Sequence, residues 1–135
     1  MKSINTLLLV LGILGFYGCL NGQNIEKSAS ISGVQSEQIE VFYFHYTRRC
    51  ATCNAVESVA KKVVSEYDGD VQFTGVNLDE EAGEAIGSKM EVAGQTLLIV
   101  SGDKRINLTN EGFLHALSDP EKLMLLLHEK IDGLL

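Results

Sequence analysis

The chain has 135 residues and carries 11 Lys and Arg against 18 Asp and Glu, a net charge of −7. That length has room for one ordinary domain. The acidic balance excludes nucleic acid as an expected partner, because phosphate contacts need a basic surface.

The first segment reads as an export signal. Lys2 precedes an unbroken apolar run from Leu7 to Tyr17, little more than half of the about 20 residues a membrane-spanning helix needs. A secretory leader over 1–19 is the expectation, with an uncleaved membrane anchor as the alternative. Gly18-Cys19 resembles the end of a bacterial lipoprotein signal, in which the Cys is lipidated and becomes the new N-terminus. Phe16 and Tyr17 are bulkier than that motif usually allows, so ordinary cleavage nearby stays open. Lipidation of Cys19 would leave one pair among the three Cys. Residues 20–38 are polar, Ser-rich and without periodicity, and read as a flexible tether. The expected product is exported to the periplasmic side of the membrane and held there by its N-terminal lipid or signal anchor. Its folded domain spans 39–135.

Within that domain, Ile39 to His45 contains the apolar run Val41-Phe42-Tyr43-Phe44 and predicts a strand covered on both faces. A short loop, Tyr46 to Arg49, leads to Cys50. From there Val56, Val59, Ala60, Val63, Val64 and Tyr67 recur at helical spacing. Glu57, Lys61, Lys62 and Glu66 fall away from that stripe. Val71 to Asn77 predicts a second strand, and Asp79 the cap of a weak helix over 80–89 interrupted by Gly83 and Gly87. Thr96 to Val100 and Arg105 to Thr109 predict a hairpin turning at Gly102-Asp103. Gly112 to Leu117 add a short helical turn before the last helix. Ser118-Asp119-Pro120-Glu121 then starts a helix that buries Leu123, Leu126, Leu127, Ile131 and Leu134. The predicted order is β-α-β-α-β-β-α, an α/β fold with a central mixed sheet and flanking helices.

Cys50-Ala51-Thr52-Cys53 carries the chemistry. A lone C-x-x-C serves zinc, haem attachment or redox chemistry. Here no further Cys completes a tetrahedral zinc site, and His45, His115 and His128 are scattered, so neither a metal nor a cofactor is expected. A dithiol at a strand-to-helix junction remains. Unpaired backbone N–H groups at the helix start stabilise a thiolate on Cys50, and Arg48 and Arg49 add positive charge. Lowering a thiol pKa from about 8.5 to about 7 raises its ionised fraction at neutral pH from roughly 3% to half. Cys53, one turn on, is the expected resolving thiol.

This arrangement resembles the thioredoxin superfamily over nearly all of 39–135. The segment Tyr43 to Cys53, with Gln95-Thr96-Leu97-Leu98, resembles more narrowly the ArsF-type thioredoxin-like family, named for nitroreductase subunits. The superfamily resemblance implies a thioredoxin-like fold and thiol–disulfide exchange through a mixed disulfide on the first Cys. The implied partners are protein thiols or disulfides, or a redox partner protein. Three departures stand out. Gln95 occupies the place of the superfamily's cis-proline and is expected trans, since a non-proline cis bond costs about 3 kcal/mol. Its amide either offers hydrogen bonds beside the sulfurs or is a plain loop residue. Phe44 stands where the superfamily has a buried Asp, so a proton acceptor for Cys53 must lie elsewhere. Glu57, four residues on, resembles an acid at that spacing in DsbA-type oxidoreductases, or else is a solvated surface Glu. Finally, the intervening Ala-Thr matches neither strong reductants nor strong oxidants, so the direction of electron flow stays open. His45 tunes Cys50, helps bind a metal or makes an ordinary strand-end hydrogen bond.

Two other functions compete with exchange. Two thiolates suit Cu(I) or trivalent arsenic, which allows a soft-metal carrier with His45 as third ligand. A non-catalytic accessory subunit using the fold for binding is the other.

Overall fold

A computed structural model of the chain describes residues 37–135. The leader over 1–19, Cys19 and all but the last two residues of the tether lie outside the described residues. Eight elements follow in order: β1 (Ile39–His45), α1 (Ala51–Val64), β2 (Val71–Asn77), α2 (Glu81–Lys89), β3 (Thr96–Ser101), β4 (Lys104–Asn107), α3 (Thr109–His115) and α4 (Pro120–Asp132). The sheet order is β2-β1-β3-β4. β1 runs parallel to β2, with Tyr43 opposite Gly75, and antiparallel to β3, with Tyr43 opposite Leu97. β3 and β4 form the expected hairpin.

Strand β1 is central because both of its faces are apolar. Ile39, Val41 and Tyr43 pack with Leu97 and Ile99 against Val56, Val59, Ala60 and Val63 of α1 and Leu123, Leu127 and Ile131 of α4. Phe42 and Phe44 point the other way and pack with Val76 and Leu98 beneath Leu78, Met90 and Val92. This is the α/β mixed sheet with flanking helices that the periodicity predicts. Burying each such side chain contributes about 1.5–3 kcal/mol.

Three local readings need correction. Helix α3 is a full element between the hairpin and the last helix, so the order is β-α-β-α-β-β-α-α. Asp79 does not cap α2. Its carboxylate instead accepts the Thr47 N–H at 2.7 Å, and Glu80 takes the cap position without a side-chain bond. Gly83 and Gly87 are not weak points in α2 but its two buried positions. A Cβ on Gly83 would overlap the Asn77 carbonyl, so glycine lets the helix lie directly on the end of β2. In α4 the Asp119 carboxylate does cap the helix, accepting the Lys122 N–H at 3.1 Å. Leu123, Leu127 and Ile131 are buried, while Leu126 and Leu134 are only half-buried.

Candidate active site

The loop between β1 and α1 is pinned from the far side. Besides the Thr47 bond to Asp79, the Asn77 amide donates to the Thr47 hydroxyl at 3.0 Å and to Glu80 at 2.9 Å. A pinned loop fixes where α1 begins, and the residue at that place is Cys50.

Cys50 is the N-cap of α1, in an extended conformation (φ −91°, ψ 169°). Its sulfur accepts the backbone N–H of Cys53 at 3.2 Å. That is the bond a Ser or Asp cap would accept, and here a cysteine sulfur accepts it. Cys50 and Cys53 are joined in a disulfide with their Cα atoms 5.1 Å apart. The two sulfurs differ in access: Cys50 is exposed, and Cys53 is 2% exposed. Cys50 is therefore the more accessible of the two.

Arg48, Arg49, Cys50, Cys53 and Gln95 line an open hollow of about 370 Å³ at the disulfide. The arginines behave differently. Arg49 is partly covered and its guanidinium pairs with Glu57, whereas Arg48 is exposed and has no ion partner among the described residues. Gln95 arrives from the loop before β3, with Oε1 3.7 Å from Sγ of Cys53. In the disulfide that sulfur has no proton to donate; after reduction the contact becomes a hydrogen bond.

Glu57 is placed under the site, not on the open surface. Its side chain is 14% exposed and held between Arg49 and Lys61, with Lys61 Nζ at 2.8 Å. Lys61 also sits over the Phe73 ring, 5.3 Å from its centroid. His45 is buried, and its Nδ1 donates to the Tyr46 carbonyl at 3.1 Å. The backbone at Gly75 brings the two together: a Cβ there would lie 3.7 Å from His45 Nε2 and 3.8 Å from Glu57 Oε1. Among the described residues, no three His, Cys, Asp or Glu side chains gather as a metal site, and no helix is long and apolar enough to cross a membrane. Phe44, at the sequence position of the superfamily's Asp, faces the opposite side of the sheet.

The residue that sequence reading passed over is Tyr43. It is fully buried, and its hydroxyl has no hydrogen-bond partner among the described residues. Its ring lies 5.9 Å from that of His45. Burial pushes the phenol above its ordinary pKa, and the positive charge of Arg49 pulls it partly back. A Tyr inside an otherwise hydrocarbon strand was the available signal, since buried hydroxyls normally find partners.

No family model matches the chain, and no curated protein matches it. Solved structures do. The germline-specific thioredoxin Deadhead from Drosophila melanogaster is 19% identical, with 69% of this chain and 81% of that one covered and a TM-score of 0.50. Thioredoxin f2 from Chlamydomonas reinhardtii is also 19% identical, covering 72% of this chain and 82% of that one at a TM-score of 0.50. At these identities the likeness establishes the thioredoxin-like fold.

Proposed function

We propose that this chain is an exported thiol–disulfide oxidoreductase working through the Cys50/Cys53 couple. The observation that carries the reading is the asymmetry of the disulfide, with an exposed sulfur at the cap of α1 and a buried one a turn later. In the reducing direction the Cys50 thiolate attacks a partner disulfide and one partner thiolate leaves. The Cys53 thiolate then attacks Sγ of Cys50, releasing the second partner thiol and restoring the internal disulfide. The oxidising direction is the same sequence reversed.

Supporting groups follow from position. The N–H of Cys53 and the guanidinium of Arg48 favour negative charge on Cys50. Glu57, on the turn of α1 after Cys53, serves as proton acceptor for the resolving thiol. The Gln95 amide steadies that sulfur once it is reduced, and His45 and Glu57 both lie beside Gly75. The fold and the paired sulfurs also suit partners that are protein thiols or disulfides. The Tyr43 to Cys53 segment with Gln95 to Leu98 supports placement in the ArsF-type family. The apolar run from Leu7 to Tyr17 and Gly18-Cys19 support export and a lipid anchor on Cys19, with 39–135 as the exported domain.

A glutathione redox titration followed by thiol labelling tests the reading. Cys50 and Cys53 should convert together between dithiol and disulfide as a two-electron couple at one defined potential. A pair that stays unchanged from fully reducing to fully oxidising buffer would remove it.

A further inference from the structure

The charges at the disulfide are not those of the rest of the molecule. Within residues 37–135, 9 Lys and Arg face 17 Asp and Glu, yet the charged side chains lining the hollow are both arginines. The acid paired with Arg49, Glu57, is nearly covered and is shared with Lys61. Asp79 and Glu80, beyond the loop, are engaged with the Thr47 N–H and the Asn77 amide. Arg49 is thus compensated, and Arg48 is left as an exposed guanidinium beside the exposed sulfur. Its planar fork of donors matches a carboxylate.

We propose that Arg48 makes the site selective for substrates carrying a carboxylate close to the reacting sulfur, such as a cysteine flanked by Asp or Glu. This rests on the oxidoreductase reading and adds the substrate's chemistry to it. In the exchange, protein disulfide plus two substrate thiols gives protein dithiol plus substrate disulfide, with the two thiol protons passing to the protein sulfurs. Arg48 binds the flanking carboxylate during the first attack and takes no electrons or protons. The selectivity is short-range. At a distance the acidic surface repels an anionic partner, so a carboxylate helps only where it can meet Arg48.

The test measures exchange rates of the purified chain with short Cys peptides of one length. One has Glu beside the Cys, one has Glu six residues away, one has Lys beside the Cys, and one is neutral. The adjacent-Glu peptide should react about threefold to tenfold faster than the neutral one, the distant-Glu peptide no faster than neutral, and the adjacent-Lys peptide slowest. Arg48→Ala should erase the difference and Arg48→Glu should reverse it, while Arg48→Lys keeps its direction. Ratios between peptides within one variant cancel any change in the reactivity of Cys50 itself, and a thermal melt checks that each variant folds. Equal rates for all four peptides, or ratios that Arg48→Glu leaves unmoved, would overturn the selectivity and leave the oxidoreductase reading in place. Absence of exchange with every peptide would overturn that reading instead.

Discussion

The two ends of helix α1 carry polar groups of opposite character. Just past its C-terminal end the polar groups that face α4 are partnered. The Tyr67 hydroxyl donates to Asp132 at 2.7 Å and lies 2.8 Å from Nδ1 of His128, whose Nε2 is 3.1 Å from Glu66. The Tyr67 and His128 rings also meet at 5.5 Å. At the N-terminal end Cys53 is buried behind the exposed Cys50, Glu57 is nearly covered between two cations, and the Tyr43 hydroxyl has no partner among the described residues. A satisfied network ties α1 to α4. The N-terminal end keeps one unsatisfied buried group among the described residues, the Tyr43 hydroxyl, on the side of the sheet that α1 covers.

Breaking the N-terminal end should have the larger effect. On the proposed mechanism Glu57→Gln removes the proton acceptor for Cys53 while keeping the side chain's shape. The resolving step should slow by about tenfold to a hundredfold, seen as accumulation of the mixed disulfide in quenched-flow mass spectrometry, with the first attack much less affected. Equal slowing of both steps would assign Glu57 to general support of the helix.

At the other end the effect should be on stability alone. Tyr67→Phe should lower unfolding free energy by about 1 kcal/mol in urea and leave exchange rates unchanged. A smaller effect comes with alkali. Burial, the bond to Asp132 and the charges of Asp132 and Glu66 hold the Tyr67 phenol well above its usual range. A phenol is charged only after losing its proton, so a raised folded-state pKa means the folded state keeps the proton more tightly. Its contribution is intact below the ordinary tyrosine value of about 10 and is lost as pH rises beyond it. Urea midpoints should fall above pH 10, and less steeply in Tyr67→Phe.

The sequence made the sheet, α1, α4 and the Cys pair legible because each rests on local periodicity or on caps such as Asp119-Pro120. Helix α3 was visible only as a possible turn, since its Thr-Asn-Glu-Gly start lacks an apolar stripe and its burial depends on α1 and β3. Glu57 was ambiguous for a related reason. A helical wheel sets it off the apolar stripe, but Arg49, which covers it, comes from the preceding loop. Asp79 looked like a cap and serves Thr47 instead, because a carboxylate at a helix start can be claimed by a neighbouring loop. Phe44 at the position of the superfamily's Asp implies that a proton acceptor for Cys53 lies elsewhere. In three dimensions Phe44 faces away from α1, and the groups on the dithiol's side of the sheet are Tyr43 and His45.

The proposed exchange depends on the difference between an exposed and a buried sulfur, and trapping tests that directly. With Cys19 also replaced by Ser throughout, a Cys53→Ser variant incubated with a mass-tagged peptide disulfide should retain one peptide, on Cys50. The Cys50→Ser variant, left with the buried Cys53, should retain almost none and show no exchange. Adducts of equal yield on Cys53 in the second variant, with both variants folded, would contradict it.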